Sequence, residues 1–367
     1  MEPRRLATGV AVRVRVPASS ANLGPGFDSI GLALGVWDEY LVALTSPEAD
    51  GAPGPGGLQG ALRIAIEGDP QDVPCDERHL VYATMRRAWA RLGVEPAGGV
   101  SLYCANTIRQ GRGMGSSAAA IVAGVGAAYA LAAIDPSTAI ETAIETAAVG
   151  VPVDLDAVND LASTLEGHPD NASASVYGGA TISWVDALAP EGEQVHSAAI
   201  PVHPGIEPLV LVPQIQLATA TARAVLPAQV PHREAALNSA SAGLLVLALS
   251  SRPDLLMAGT REWLHQEQRR SSFGGAMGIV DALRAQGHAA VISGAGPSVL
   301  VLARTDMPTD LRTDLRTDGA TGRTVPEQVA GLLPSGWALL RPGIPRRGLR
   351  IERVTLEELP DVLASSA

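Results

Sequence analysis

The strongest chemical signal in this 367-residue sequence is a glycine-rich segment that opens an apolar helix. Residues 111–120 read GRGMGSSAAA, so three alternating glycines precede two serines. Glycine lets the backbone approach an anion closely and adopt positive φ. The unpaired amides of a first helical turn, with the positive end of the helix dipole behind them, attract phosphate. We therefore predict a phosphate-binding loop, in which the hydroxyls of Ser116 and Ser117 cap the helix or reach a magnesium ion. A glycine-rich turn with a serine cap is the alternative.

Two further segments form rigid turns with polar side chains. Residues 17–28 (PASSANLGPGFD) place Asn22 and Asp28 around a Gly-Pro-Gly turn. There an amide and a carboxylate can hold an ammonium and a hydroxyl group, and an Asx turn is the structural alternative. Residues 293–298 (SGAGPS) predict a tight turn between two apolar strands. This second turn can approach a ligand or support the glycine-rich segment.

A carboxylate and a histidine occur together in residues 166–171 (EGHPDN), which are followed by Gly178-Gly179. Glu166 can meet a phosphate-bound metal ion, because Mg²⁺ prefers one or two carboxylates plus phosphate oxygens. His168 suggests a general base, although a single histidine in a turn more often has a structural role. Both interpretations of His168 stay open at this point.

All 27 basic residues of the chain are arginines. A GxxxxGK(S/T) P-loop, a Schiff-base lysine and the paired lysine of protein kinases are therefore excluded. A protein of this composition that uses ATP must hold phosphate with backbone amides, hydroxyls, a metal ion or arginine.

The composition is typical of a globular protein, with 46% apolar and 18% charged residues and enough length for two domains. The net charge of −11 argues against a nucleic acid partner, since phosphate backbones need clustered basic residues. The uncharged stretch 116–134 is mostly Ala and Gly and predicts a core helix rather than a membrane span. Two cysteines and an amino-terminus without an apolar signal segment favour the reduced cytoplasm.

Hydrophobic periodicity predicts the elements that position these segments. A composition shift after Gly178-Gly179 predicts a second α+β domain from about residue 180, and the repeat TDLRTDLRTD at 309–318 predicts a solvated loop. The predicted strands are 10–16, which Pro17 ends, 39–44, 62–67, 100–106, 180–184, 209–213, 288–292 and 298–303. The predicted helices are 79–92, a long one from 116, 234–249 and 254–268.

The four segments in this order resemble the motif set of the GHMP kinase superfamily, and in detail that of the homoserine kinase family. The stretches similar to that family's motifs are PASSANLGPGFDSIGLAL at 17–34, GRGMGSSAAA at 111–120, EGHPDN at 166–171 and SGAGPSVLVL at 293–302. The resemblance implies an α+β, two-domain GHMP kinase fold. Residues 1–179 are expected to form a ribosomal-S5-domain-2-like, ATP-binding domain, and residues 180–367 a ferredoxin-like domain.

The resemblance also implies roles for individual positions. The backbone expected to wrap the ATP phosphates is that of Gly111, Arg112, Gly113, Met114, Gly115, Ser116 and Ser117. Mg²⁺ is expected on Glu166 and a serine of the pair, with Ser117 as the chosen ligand. The residues expected to contact L-homoserine are Asn22, Asp28, Asn171, Thr219, Arg223 and Arg269. The two arginines are expected on its carboxylate, because a planar guanidinium binds a carboxylate in bidentate fashion.

The implied reaction is phosphorylation of L-homoserine by ATP to O-phospho-L-homoserine, a cytoplasmic step of threonine biosynthesis without a nucleic acid or membrane partner. Asn171 and Arg223 are the expected catalytic residues. Asn171 takes the place of the aspartate base of relatives such as mevalonate kinase, and an asparagine cannot accept a proton. The substrate hydroxyl is therefore expected to lose its proton to the phosphate, with Asp170 or His168 as alternative bases. The oligomeric state stays open, and a homodimer is one option.

Two alternatives remain after the sequence analysis. One is a GHMP kinase for another small hydroxy amino acid. The other is a catalytically silent metabolite sensor, against which the presence of Ser116, Ser117 and Glu166 argues. A nucleotide-binding dehydrogenase is discounted, because the third glycine of GxGxxG is misplaced in residues 111–116.

Overall fold

The computed structural model of the chain describes residues 2–46, 62–69, 73–134, 150–189, 192–217, 219–305 and 324–360. The predicted α+β class is confirmed, since mixed sheets and helices fill these ranges. The repeat at 309–318 lies outside the described residues.

The strands form two main sheets. Seven strands pair in the order β13-β2-β3-β6-β4, with β7 added to β3 and β8 added to β7. Four antiparallel strands form the second sheet in the order β10-β11-β9-β12, and β1 pairs with β5 alone. The strands are β1 Arg4–Leu6, β2 Val10–Asn22, β3 Gly26–Thr45, β4 Leu62–Gly68, β5 Val94–Pro96, β6 Gly99–Asn106, β7 Ala180–Asp186, β8 Gln194–Ile200, β9 Ile206–Val212, β10 Ala289–Ile292, β11 Val299–Arg304, β12 Ala338–Leu340 and β13 Arg350–Val354.

The helices pack against these sheets and supply the starts and ends that form the site. Several begin or end at glycines with positive φ, as Gly93 after α1 and Gly115 before α2 illustrate. The helices are α1 Leu80–Leu92, α2 Ser116–Ala133, α3 Leu155–Glu166, α4 Pro169–Tyr177, α5 Thr219–Ala224, α6 His232–Ser250, α7 Leu256–Gly259, α8 Ala276–Ala285 and α9 Val325–Ala330.

Helix α2 is the core helix of the larger sheet. By length and composition it passes the test for a membrane span, but most of it is buried inside the fold, as a core helix would be. It lies close to α1 at Gly124, where a Cβ would come 2.0 Å from the Thr84 hydroxyl and 2.5 Å from the Val81 carbonyl oxygen. The small residues that suggested a weak membrane signal therefore allow two helices to approach closely.

Strand β2 continues past Pro17, so the predicted strand end there is wrong. The pairing of β2 with β3 shifts register between Pro17 and Ala18. A bulge accommodates a proline, which has no N–H to donate to the ladder. The extension matters for the site, because it carries the buried Ser19, Ser20 and Asn22 up to the glycine-rich segment.

The helix predicted at 254–268 is also wrong beyond its first residues. The chain forms a 3₁₀ turn at Pro253–Leu255 and the short α7, and residues 260–268 are turns. The Glu262 carboxylate accepts, at 2.8–3.0 Å, the backbone N–H groups of Leu264, His265 and Gln266. A side chain thus satisfies donors that a helix would pair with its own carbonyls, which favours the irregular path.

The predicted domain boundary at residue 180 stays a prediction, but strand pairing bears on it. Strand β7 pairs with β3, β8 pairs with β7, and β13 pairs with β2. The seven-stranded sheet therefore includes strands from both sides of residue 180. All strands of the four-stranded sheet, by contrast, come after residue 205.

Buried His79 generates a prediction about stability and pH. It precedes α1, its Nε2 lies 3.9 Å from the Cys104 sulfur, and its Nδ1 has no partner. Burial lowers the pKa of His79. Below about pH 6.5 the unfolded chain therefore binds a proton at His79 that the folded chain does not bind. The free energy of unfolding decreases as the pH is lowered through this range.

We expect the free energy of unfolding of the wild-type chain to fall more than that of His79→Gln between about pH 6.5 and about pH 5.5, by up to about 1 kcal/mol. Denaturant titrations of both proteins at the two pH values measure this difference. Equal pH slopes would show that His79 takes up its proton in the folded state.

Candidate active site

A cavity of about 220 Å³ opens where five parts of the chain meet. These parts are the β2–β3 turn, the loop before α2, the α3–α4 junction, α5 with the segment before it, and the β10–β11 turn together with the segment before α8. The predicted site residues that line the cavity are Asn22, Asp28, Gly111, Gly113, Gly115, Ser116, Ser117, Glu166, Asn171, Arg223 and Arg269. The structure thus brings together side chains from all four sequence segments.

The glycine-rich loop packs against the end of strand β2 and against the β10–β11 turn. Gly111, Gly113 and Gly115 all have positive φ. A Cβ on Gly113 would lie 2.1 Å from the backbone oxygen of Ser293, and one on Gly115 would lie 2.2 Å from the Ser19 hydroxyl. Helix α2 starts directly after Gly115, whose lack of a side chain leaves the first-turn amides without a side-chain cap. This is the backbone arrangement that binds anions at helix starts.

Two residues of this loop do not line the cavity. The Met114 side chain is buried in the core. The Arg112 guanidinium points to other backbone segments and donates to carbonyl oxygens of Gln110, Pro213 and Gln214 at 2.9–3.1 Å. Their predicted part in phosphate binding is therefore limited to the backbone, and the Arg112 side chain ties the loop to the segment that leads into α5.

Ser117 and Glu166 have the donor types and spacing of a magnesium site. Ser117 Oγ lies 3.0 Å from Glu166 Oε2, about the distance between neighbouring ligands of an octahedral ion with bonds of about 2.1 Å. Burial raises the pKa of Glu166, and His168 and the Ser117 hydroxyl partly offset this. Among the described residues no group of three or more His, Cys, Asp or Glu side chains could hold a metal ion. The other ligands would have to be phosphate oxygens or water.

His168, which is partly buried, pairs with the buried Asp170 beside this carboxylate. His168 Nδ1 lies 2.9 Å from Asp170 Oδ1, which also accepts the Asn171 backbone N–H at 2.8 Å. Burial lowers the pKa of His168, but the hydrogen bond and charge of Asp170 and the charge of Glu166 outweigh it, so the net pKa is raised. Asp170 thus orients the imidazole and the start of α4.

The Asn171 side chain accepts a hydrogen bond from one of two linked serine hydroxyls. Ser19 Oγ lies 3.0 Å from Asn171 Oδ1, and Ser175 Oγ lies 3.2 Å from Ser19 Oγ. Ser19 is fully buried and also meets Gly115 of the loop. One hydroxyl that the sequence analysis missed therefore links the loop to the amide on α4. The tandem serines of PASSAN were the available signal, because buried hydroxyls need partners.

The opposite wall of the cavity carries paired charges. Arg223 and Asp28 form a bidentate ion pair with N···O distances of 2.5 and 3.1 Å. Burial lowers the pKa of Arg223, but Asp28 outweighs this and the net pKa is raised. Arg269 is buried beside them and donates from Nε to the Ala222 carbonyl oxygen at 2.8 Å. Burial and the charge of Arg223 lower its pKa.

Asn22 has both ends of its amide engaged. Its Oδ1 accepts the Asp28 backbone N–H at 3.0 Å, and its Nδ2 donates to the Gly294 carbonyl oxygen at 3.2 Å. Asn22, Leu23 and Asp28 all have positive φ, which is unusual for residues with a Cβ. Asn22 therefore braces a strained turn, and its contact with substrate stays a prediction.

Thr219 begins α5, but its side chain lies outside the described part of the chain. Its predicted substrate contact stays a prediction.

Two aromatic residues near the arginines were missed by the sequence analysis. Phe27 lies under both guanidiniums, and its ring stacks on His265 at 5.0 Å between centroids. The spacing of four residues between His265 and Arg269 was the available signal, because a single turn closed by the Arg269 N–H and the His265 carbonyl oxygen, 3.1 Å apart, brings the two residues together.

Gly113→Ala tests whether close approach, rather than backbone angle, requires glycine in the loop. Gly93 is the matched control, because it also has positive φ but nothing lies within 4 Å of a Cβ there. We expect Gly93→Ala to cost about 1 kcal/mol with unchanged turnover. Gly113→Ala should cost about 1–3 kcal/mol more, since the loop must move away from Ser293, and should lower turnover at least about tenfold.

Denaturant titrations and steady-state rate measurements compare the two variants. If Gly113→Ala matches Gly93→Ala in both stability and turnover, the close contact with Ser293 is unimportant.

Known proteins share this arrangement over most of the chain. The model of the GHMP kinases N terminal domain matches residues 79–179. The homoserine kinase of Rhodococcus opacus (strain B4) is 43% identical over 311 residues, which cover 83% of this chain and 90% of that protein. The homoserine kinase of Streptomyces coelicolor is 42% identical over 346 residues, which cover 93% and 94%.

A solved structure supports the same fold. The crystal structure of homoserine kinase from Cytophaga hutchinsonii superposes with a TM-score of 0.68 and covers 93% of this chain and 97% of that one, at 22% identity. The predicted GHMP kinase fold is thereby confirmed. The identities of about 40% over most of both chains show that this chain belongs to the homoserine kinase family of the GHMP kinases.

Proposed function

We propose that this chain transfers the γ-phosphoryl group of ATP to the hydroxyl of L-homoserine and so forms O-phospho-L-homoserine. The observation that carries the proposal is the cavity itself. It joins a glycine-lined helix start, suited to phosphate, with the Asp28–Arg223 pair and Arg269, suited to an amino acid. The relatives that are named homoserine kinases point to the same reaction.

Recognition of an α-amino acid follows from the order of charges on the cavity wall. Asp28 presents a carboxylate to an ammonium group, and Arg223 and Arg269 present guanidiniums to a carboxylate. A zwitterion fits such a wall because each of its charges meets an opposite charge that is already fixed in place. The pair is half-buried, with 37% of the Arg223 side chain and 33% of the Asp28 side chain exposed, and a substrate that lacks either charge would separate the pair without replacing the charge that it displaces.

ATP is bound by the backbone of the glycine-rich loop and by the metal site. The amides around Gly111–Ser117 would wrap the phosphates, and Ser117 and Glu166 would hold Mg²⁺. The ion, when bound, neutralises phosphate charge as the leaving oxygen develops it. Because the chain has no lysine, these groups replace the cationic side chain of other ATP-binding loops.

In the reaction, the homoserine oxygen forms a bond to the γ-phosphorus, and the bond between that phosphorus and the oxygen bridging to the β-phosphate breaks. ADP leaves, and the hydroxyl proton passes to the transferred phosphoryl group. Asn171 positions the hydroxyl and does not act as a base, since an amide is not basic. Arg223 supports the same geometry through the substrate carboxylate. Catalysis of this kind depends on positioning and charge neutralisation.

We also propose that the reaction takes place in the cytoplasm and that ATP and L-homoserine are its small-molecule partners.

A panel of hydroxy compounds with Mg-ATP tests the function. L-Homoserine should be turned over best, and L-threonine and L-serine should be poorer. γ-Hydroxybutyrate, which lacks the ammonium group, and aminopropanol, which lacks the carboxylate, should each lose at least about a hundredfold in kcat/KM, because each leaves one charge of the wall unmatched.

ADP release and detection of the phosphorylated product give the result. Preference for another hydroxy amino acid would keep the amino acid site and change the substrate. Turnover of either singly charged analogue at the homoserine rate would contradict the charge argument. ATP binding without turnover of any compound would favour the metabolite sensor.

His168→Gln distinguishes a general base from a positioning residue. Loss of a base would lower kcat by about 10²–10⁴. We expect a loss below about tenfold, because the transferred phosphoryl group is the proposed proton acceptor and glutamine keeps a polar end in the cavity. Asn171→Ala, by comparison, should mainly raise the KM for homoserine. Steady-state kinetics of both variants decide, and a loss of nearly all turnover in His168→Gln with intact substrate binding would make His168 the base.

A further inference from the structure

We propose that His265, held as a neutral imidazole, is a positioning residue that fixes Arg269 for the substrate carboxylate. The proposal rests on the proposed function, in which Arg269 binds that carboxylate. It adds a residue that lies behind the cavity wall and touches the arginine, not the substrate.

The hydrogen bonds around His265 determine its tautomer. The ring is fully buried, and Nε2 lies 2.8 Å from the Gly24 carbonyl oxygen. A carbonyl oxygen accepts and cannot donate, so Nε2 must carry the hydrogen. In the neutral ring Nδ1 is then an acceptor, and it faces Arg269 Nη1 at 3.4 Å. A guanidinium can only donate, so the two partners match.

The charges that face His265 come from several elements. Glu262 Oε2 lies 3.8 Å from Nε2 and favours the charged ring, but backbone N–H groups already engage both oxygens of this carboxylate. Asp28 also favours the charged form, whereas Arg269 opposes it. Burial is the largest influence and lowers the pKa of His265. A proton on Nδ1 would point a donor at the Arg269 guanidinium and remove the match.

Phe27 connects this pair to the rest of the charged wall. Its ring stacks on the His265 ring with a centroid distance of 5.0 Å and an interplanar angle of 27°. The guanidinium carbons of Arg269 and Arg223 lie 5.4 and 5.7 Å from the same ring. The Phe27 ring therefore stabilises both guanidiniums, and the stacked His265 ring helps to keep the Phe27 ring in position.

The effect on Arg269 follows from the shape of a guanidinium. Its Nε donates to the Ala222 carbonyl oxygen and its Nη1 faces His265. Two acceptors at different edges fix the plane of a rigid group, and the remaining donors are then aimed without further loss of side-chain entropy. Without the second acceptor the plane is free to rotate about the Ala222 contact. The expected consequence is weaker carboxylate binding and unchanged phosphate binding.

Two amide replacements separate the two hydrogen bonds of His265. In His265→Asn the amide oxygen can stand in for Nδ1 and accept from Arg269, whereas in His265→Gln the amide nitrogen can stand in for Nε2 and donate to Gly24. Both variants lose the aromatic stack. We expect His265→Gln to raise the KM for L-homoserine about tenfold, with the KM for ATP unchanged. His265→Asn should stay within about threefold of the wild-type value.

The Arg269→Gln background tests whether His265 acts through this arginine. Arg269→Gln alone should raise the KM for homoserine, and adding His265→Gln should then raise it no further, because the interaction is already absent. Additive effects would overturn the proposal. So would equal KM values for His265→Gln and wild type, or equal losses in the two His265 variants.

The pH dependence of the wild-type enzyme is a check that needs no variant to fold. Because the pKa of His265 is lowered, the homoserine KM should rise only below about pH 6.5, while the KM for ATP stays level. A homoserine KM that already rises above about pH 6.5 would overturn the proposal. Failure of the wild-type protein to phosphorylate homoserine at neutral pH would instead refute the proposed function.

Discussion

The site depends on the contact of the glycine-rich loop before α2 with the end of β2 and with the β10–β11 turn, where no Cβ fits on Gly113 or Gly115. Ser293 and Ser19 occupy the positions that Cβ atoms on Gly113 and Gly115 would need. Backbone hydrogen bonds lock the same contact, since the Ser19 N–H donates to the Met114 carbonyl oxygen and the Gly294 N–H to the Ala21 carbonyl oxygen. The phosphate-binding amides are therefore placed by residues more than 80 positions away on either side in the chain. A helix start that is fixed in this way needs no lysine to attract phosphate, because its dipole and amides are already aimed.

Charge is arranged around that fixed point in two separate groups. Glu166 and Asp170 lie with His168 beside the phosphate loop, whereas Asp28 pairs with Arg223 on the opposite wall. The first group suits a divalent cation and phosphate, and the second suits the two charges of an amino acid. Both groups are partly desolvated, and in each a carboxylate lies next to an imidazole or a guanidinium before any ligand arrives. The cavity can thus hold several ionised groups with little exposed charge.

The sequence predicted the chemistry of the site better than its geometry. The four segments, most of the strands and the long α2 were predicted, because glycine turns and apolar periodicity are local signals. The continuation of β2 past Pro17 and the loss of helix after α7 were not, because a register shift and the Glu262 side chain decide them. Ser19 and Phe27 were missed for the same reason, since their partners are distant in sequence and become visible only when the chain is folded. His265 was missed although Arg269 is only four residues away, because its other partner, Gly24, is distant in sequence. Arg112 was predicted in the right loop, but its side chain points away from the cavity.

The strained turn after β2 shows how these parts depend on one another. Residues with a Cβ adopt positive φ at a cost of about 1–3 kcal/mol each, so Asn22, Leu23 and Asp28 would relax if they stood alone. They do not relax, because the Asn22 side chain donates a hydrogen bond to the Gly294 carbonyl oxygen of the β10–β11 turn and Leu23 is buried in the core. Asp28 is held next to Arg223 by their ion pair and by its backbone N–H, which donates to Asn22 Oδ1. The β10–β11 turn that accepts from Asn22 also packs against Gly113 through Ser293. The phosphate loop and the amino acid wall therefore depend on one packing arrangement. A substitution in the β2–β3 turn or in the β10–β11 turn is expected to affect both phosphate binding and amino acid binding.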